Sequence, residues 1–370
     1  MRKLIDENID FAVEQYKFLS KNVPANRAPK SYDAKTNKII TSDMSWWCSG
    51  FYPGTLWYLY ENTRDNQIKR EAEKRLGDLE KEKYNTSDHD LGFKMFCSFG
   101  NAFRITHNPQ YKDVIFKSAA SLATRYRPII KSIQSWNSND ELKCPVIIDN
   151  MMNLELLEWS TLMGADKKFK EIAINHAGST LTNHYRPDGS SFHVLDYDLS
   201  TGKIFRKLTW QGAADSSAWA RGQAWGLYGF VTMYRFEKNE KYLNQAKKSA
   251  SFILNHPNLP ADKIPYWDFN APGIPNALRD ASAGAIIAAA LLELSQFTRG
   301  EERQKYVSAA EKMLQSLSSI AYRAAPGTNG GFILKHSVGS LPHNSEVDVP
   351  LTYADYYFIE ALTRYKKWYL

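Results

Sequence analysis

The chain has 370 residues, 43% of them hydrophobic and 24% charged, and a formal net charge of +7. No apolar run approaches the roughly 18 residues that a membrane span needs, which argues against a membrane protein. Lys and Arg alternate with Asp and Glu, as in Lys81-Glu82-Lys83, instead of gathering into the basic runs of a nucleic-acid binder.

Helical periodicity dominates the chain. Residues 3–20 predict an amphipathic helix with Leu4, Ile9, Ala12, Val13, Tyr16 and Leu19 on one side. Further helices are predicted at 53–64, 66–85, 91–107, 110–126, 150–164, 167–184, 217–235, 239–255, 281–298, 301–321 and 351–368. The segments alternate in character. Ala281–Thr298 carries Glu293 as its one charge, whereas Glu301–Leu317 is charged along one face. A helix apolar all round is buried, and one with a polar stripe lies outside. Six inner helices alternating with six outer ones predict an all-α (α/α)6 barrel that occupies residues 1–370 as one catalytic domain. An open α-solenoid would also stack helix pairs, but its repeats should resemble one another.

The long connections 23–52, 127–149, 185–216, 256–280 and 322–350 all lead into inner helices. One end of the barrel should therefore hold most of the loop mass, and with it the site. Ser191–Tyr197 and Lys203–Leu208 predict a small hairpin there. The N-terminal Met1-Arg2-Lys3-Leu4-Ile5-Asp6-Glu7 opens no apolar leader. A cytoplasmic location is expected, or a periplasmic one after removal of a leader. Cys48, Cys97 and Cys144 form no CxxC pair and no disulfide framework. No His/Cys cluster has metal-ligand spacing, so no metal is expected.

Two carboxylates begin inner helices at the loop-rich end: Asp90 in Asp88-His89-Asp90-Leu91-Gly92-Phe93, and Asp149 in Val146-Ile147-Ile148-Asp149-Asn150. Both sit where helix N-caps sit, and capping would explain each alone. Asp149, however, follows an apolar run that would desolvate it and make it an acid usable near neutrality. Paired carboxylates facing a cleft are the usual equipment of sugar chemistry. Farther on, Ser216 or Ser217 is placed to cap a helix on which Arg221 and Trp225 share a face at i, i+4. That pair suits a sugar carboxylate, or equally a buried structural Arg stacked on Trp.

Several segments together carry a family resemblance. They are Trp47-Cys48-Ser49-Gly50-Phe51, His89-Asp90-Leu91-Gly92-Phe93, Ile148-Asp149-Asn150-Met151-Met152, Trp219-Ala220-Arg221-Gly222-Gln223-Ala224-Trp225-Gly226, Pro265-Tyr266-Trp267-Asp268-Phe269, Arg279-Asp280, His336-Ser337-Val338-Gly339 and Asp348-Val349-Pro350-Leu351. Over nearly its whole length the chain resembles the unsaturated glucuronyl hydrolases, glycoside hydrolase family 88. The resemblance implies an (α/α)6 barrel without metal or organic cofactor. It implies a substrate ending in a Δ4,5-unsaturated uronic acid, glycosaminoglycan-type first of all, with hydration of the C4=C5 bond in place of attack at the anomeric carbon.

By the same resemblance, Asp149 protonates C4 and prepares water, and Asp90 is its partner. His193, Gln211, Arg221 and Trp225 surround the unsaturated ring, with Trp47, His89 and Trp136 at further binding positions. Sulfate-accepting members are similar in a Ser-x-x-Ser-x-Lys pattern near His336. This chain keeps Ser337 and Ser340 but has Pro342 where the Lys would stand, which leaves Lys335 as a substitute cation. The expected partner is the unsaturated oligosaccharide, with neither nucleic acid nor membrane, on a monomer or weak homodimer. An unsaturated rhamnogalacturonyl hydrolase of family 105 and a sugar-binding barrel without turnover are the alternatives. The His89–Phe93 motif and the presence of both carboxylates weigh against them.

Overall fold

The computed structural model describes residues 1–140 and 142–370. Twelve helices appear among them: α1 (Arg2–Asn22), α2 (Phe51–Thr63), α3 (Asn66–Leu79), α4 (Gly92–Gly100 continued by Asn101–Thr106), α5 (Pro109–Ala123), α6 (Leu154–Leu162), α7 (Lys168–Asn183), α8 (Ala220–Glu237), α9 (Glu240–Asn255), α10 (Ala281–Leu294), α11 (Gly300–Leu317) and α12 (Thr352–Tyr369). The even-numbered helices form the inner ring. Each packs on the next, and α12 returns to α2 and closes the (α/α)6 barrel. Every residue of α10 is buried, as an all-apolar segment requires, while α9 and α11 bury one face each. No helix is long and apolar enough to cross a membrane among the described residues.

Boundaries depart from the periodicity where side chains intervene. The predicted α-helix 91–107 opens instead with a π-helical run over Gly92–Gly100. There Phe93 donates its N–H to Asn153 Oδ1, so a side chain competes with the backbone for the first turn. Helix α6 is preceded by a 3₁₀ segment, Ile148–Asn153. Close approach at this corner depends on glycine. A Cβ on Gly50 would lie 2.0 Å from Lys94 O, and one on Gly92 would lie 2.5 Å from Asn153 Cα.

The expected caps are corrected. Helix α8 begins at Ala220 with Trp219 as its N-cap residue, and Ser217 instead donates its hydroxyl to Asp268 Oδ2 at 2.6 Å. Neither Asp90 nor Asp149 caps its helix through its side chain.

The connections that lead into the inner helices carry the strands found among the described residues. β1 (Ala28–Asp33) pairs with β2 (Lys38–Ser42), and β3 (Tyr126–Arg127) with β4 (Ser132–Ile133). β5 (Lys143–Ile147), β6 (Val194–Asp198) and β7 (Ile204–Leu208) form an antiparallel sheet that contains the predicted hairpin. β8 (Ser337–Ser340) pairs with β9 (Ser345–Val349). In the three-stranded sheet Val146 stands opposite Leu195 and Cys144 opposite Tyr197, over a small core with Ile130. This core fixes β5, so the chain enters the 3₁₀ segment that carries Asp149 at a set height.

Candidate active site

Asp90 and Asp149 reach the same cavity from neighbouring inner helices. The cavity measures about 450 Å³ and is lined by Trp46, Trp47, His89, Asp90, Trp136, Ile147, Asp149, Trp210, Gln211 and Arg221. Of the residues expected from sequence, Asp90, Asp149, Trp47, His89, Trp136, Gln211 and Arg221 line it. His193 stands directly behind, its Nε2 3.8 Å from Asp149 Oδ2.

Asp149 is 9% exposed, and its Oδ2 has no hydrogen-bond partner among the described residues. Burial is the main cause that pushes its carboxyl up to about 6; the Arg221 guanidinium opposes the shift and Asp90 adds to it. Burial also raises Asp90, with the neighbouring Asp88 carboxylate second. Asp88 goes the other way, because Lys94 holds it ionised against the cost of burial. The fully buried Lys94 donates to both Asp88 oxygens at 2.9 and 3.1 Å and to Ser45 O at 3.2 Å. Asp88 Oδ1 also accepts the Asp90 N–H at 2.8 Å. The ion pair therefore fixes the backbone that presents Asp90.

His193 is neutral in a defined tautomer. Its Nδ1 accepts the N–H groups of Trp210 and Gln211 at 3.1 and 3.3 Å, so the proton resides on Nε2, on the side of Asp149. Burial, with Arg221 nearby, pulls its pKa to about 3. Its ring lies against Trp219 at a centroid distance of 4.3 Å. His89 is likewise neutral, pulled to about 4 by burial, and its Nε2 lies 3.3 Å from Asp90 Oδ1.

Arg221 is 1% exposed and already engaged. It donates to Asp280 Oδ2 at 3.3 Å, Val338 O at 2.6 Å and Gly339 O at 2.7 Å, and lies between the Trp219 and Tyr353 rings. Three of its five N–H donors are committed among the described residues, which leaves two for a ligand. Gln211 Nε2 donates to the same Gly339 O at 3.2 Å. Strand β8 thus supports the site through backbone carbonyls.

Four expected residues do not line the cavity. Trp225 is fully buried among Phe93 and Tyr357, because four residues along an inner helix is just over one turn, about 6 Å, deeper in the barrel. His336 faces away and pairs its Nδ1 with Asp348 Oδ1 at 2.7 Å. Ser337 is fully buried, and Ser340 hydrogen-bonds His343 Nδ1 at 2.7 Å, so neither lines the cavity.

Residues the sequence did not single out include Trp46, Ile147, Trp210, Lys94 and Asp280. Asp280 was legible only as a motif member; it caps α10 through Ser282 N at 3.0 Å while holding Arg221.

A closed α/α barrel whose loop end presents one buried and one half-buried carboxylate among tryptophans carries the usual equipment of a glycoside hydrolase. Residues 21–368 match the family described as Glycosyl Hydrolase Family 88, and the chain belongs to that family. It is 45% identical to an unsaturated glucuronyl hydrolase of Formosa agariphila over 94% of this chain and 87% of that protein. The crystal structure of an unsaturated glucuronyl hydrolase specific for heparin superposes with a TM-score of 0.96 at 42% identity, covering 99% of this chain and 98% of that one. A solved structure described with dGlcA-Glc-Rha-Glc superposes with a TM-score of 0.90 at 29% identity, covering 99% and 97%.

Proposed function

We propose that the protein is an unsaturated glucuronyl hydrolase that releases the Δ4,5-unsaturated uronic acid from the nonreducing end of lyase-generated oligosaccharides, glycosaminoglycan-type first. The observation that carries this is the buried Asp149 carboxyl, unpartnered at Oδ2 and facing a cavity shared with Asp90. An acid with a pKa near 6 is partly protonated near neutrality and strong enough to protonate an enol ether.

Asp149 gives its proton to C4, and positive charge develops at C5 and the ring oxygen. The Asp149 carboxylate left behind stabilises that charge in a cavity that limits water, while Asp90, its own carboxyl raised to about 8, holds sugar hydroxyls and tunes Asp149. Water adds at C5 and returns a proton to Asp149. The resulting hemiketal opens, C5 becomes a ketone, and the glycosidic bond at C1 breaks with loss of the leaving sugar. The neutral His193, with its proton on Nε2, can donate to a substrate oxygen or to Asp149 but cannot compete as the acid. His89 orients Asp90. Two free donors on Arg221, with Gln211, suit the C5 carboxylate, and Trp47 and Trp136 suit the sugar faces. One continuous buried core from Ile5 to Tyr365 supports the whole chain acting as one catalytic domain.

Asp149→Asn tests the assignment. The variant should fold, bind an unsaturated heparin or chondroitin disaccharide, and turn it over at least about a hundredfold more slowly. Turnover within a few-fold of the parent would remove Asp149 from its role.

A further inference from the structure

We propose that a second cleft, beyond Trp136 and Trp210, is the subsite for the second sugar past the scissile bond and that it takes an anionic sugar. The cleft measures about 390 Å³, and Trp136 and Trp210 line both it and the reaction cavity. The two rings lie 6.4 Å apart between centroids and form the ridge that separates the spaces. A chain longer than a disaccharide that leaves the reaction cavity over this ridge enters the cleft.

The far side carries three donor side chains, Asn137, Lys143 and Arg206. Asn137 has its Oδ1 held by Arg125, which is 2% exposed and donates to it from both Nη1 and Nη2 at 3.2 Å. Its Nδ2 has no protein partner among the described residues. Arg206 donates from Nε to Asp196 at 3.4 Å, and Asp196 is 6% exposed. That bond leaves both Nη groups of Arg206 without a protein hydrogen bond among the described residues, in the fork geometry that grips a carboxylate. Lys143 lines the same cleft, and its partner Asp140 lies on an exposed turn, where an incoming anion can replace it.

In a glycosaminoglycan, uronic acids alternate with hexosamines. An unsaturated tetrasaccharide therefore places a uronate second from the scissile bond, where Arg206 and Lys143 stand. This inference rests on the proposed hydrolase activity and extends it to longer substrates.

The experiment compares Arg206→Gln with the parent on three substrates. They are an unsaturated glycosaminoglycan disaccharide, a tetrasaccharide with a uronate in its third sugar, and dGlcA-Glc-Rha-Glc, whose tail is uncharged. Arg206 is exposed on β7, so the substitution spares the core. The expected result is a fall in kcat/KM of about tenfold on the uronate-bearing tetrasaccharide alone, restored in part by Arg206→Lys. Equal losses on all three substrates, or no loss on any, would overturn the assignment. Calorimetry on Asp149→Asn gives the same comparison without turnover. Equal affinity for the disaccharide and the uronate-bearing tetrasaccharide would sink the cleft as a subsite even were the assigned reaction wrong, whereas loss of turnover by the parent on every substrate would sink the reaction and leave the binding comparison standing.

Discussion

Replacing Asp149 by Asn should make the protein more stable at alkaline pH. In the folded chain the carboxyl is pushed from 3.8 to about 6, chiefly by burial. The folded state then holds a proton that the unfolded chain releases, so stability is fullest below about pH 4 and falls as pH rises toward 6. Above that window the ionised group costs up to about 3 kcal/mol, at 1.36 kcal/mol for each pKa unit. Asn keeps the shape of the neutral acid and removes this cost. For 370 residues the unfolding entropy is about 0.8 kcal/mol/K, so the gain corresponds to a rise of about 4 °C in Tm. Melting curves at pH 8 and pH 4 test it. The difference should be present at pH 8 and nearly gone at pH 4. A variant that melts lower than the parent at pH 8, or by the same margin at both, would refute the argument that Asp149 is held at a desolvation cost for the sake of its proton.

Three further outcomes follow from the same geometry. The rate at limiting substrate should be level up to about pH 6 and fall tenfold per unit above it, since Asp149 must start protonated; a limb that begins above pH 8 would assign the acid elsewhere. Lys94→Met removes the cation that holds Asp88 and should cost about 3 kcal/mol in urea titration. It should also distort the pH profile, because Lys94 opposes the rise of the Asp90 carboxyl; an unchanged profile would detach the ion pair from the site. Arg221→Ala should raise KM and also destabilise the fold by roughly 3 kcal/mol, because Asp280 and the β8 carbonyls lose their partner; a rise in KM with stability unchanged would contradict the buried network.

The helix count and the alternation of inner and outer helices were legible because they rest on apolar periodicity, as α10 and α11 show. The two carboxylates were legible through their place at inner-helix starts on the loop-rich end. What periodicity could not show is competition from side chains. Asn153 takes the Phe93 N–H, and the π-helical run that follows carries Lys94 back beneath Asp88, six residues earlier. An α-helical pattern predicts no such pairing. The His193 tautomer was hidden for a different reason, since it depends on N–H groups of Trp210 and Gln211 that approach across the β6–β7 hairpin. Trp225 was misplaced because sharing a helix face with Arg221 does not mean sharing a depth. The strands of the loops were mostly invisible, being short and set by neighbouring segments, as the pairing of β8 with β9 illustrates.

The most direct test of the account is the reaction run in heavy water with an unsaturated glycosaminoglycan disaccharide, followed by ultraviolet absorbance and analysis of the released uronate. Hydration predicts loss of the unsaturated-uronate absorbance and one deuterium at C4, delivered through Asp149. Release of the sugar with the absorbance retained and no deuterium at C4 would mean attack at the anomeric carbon, and would contradict the assigned chemistry.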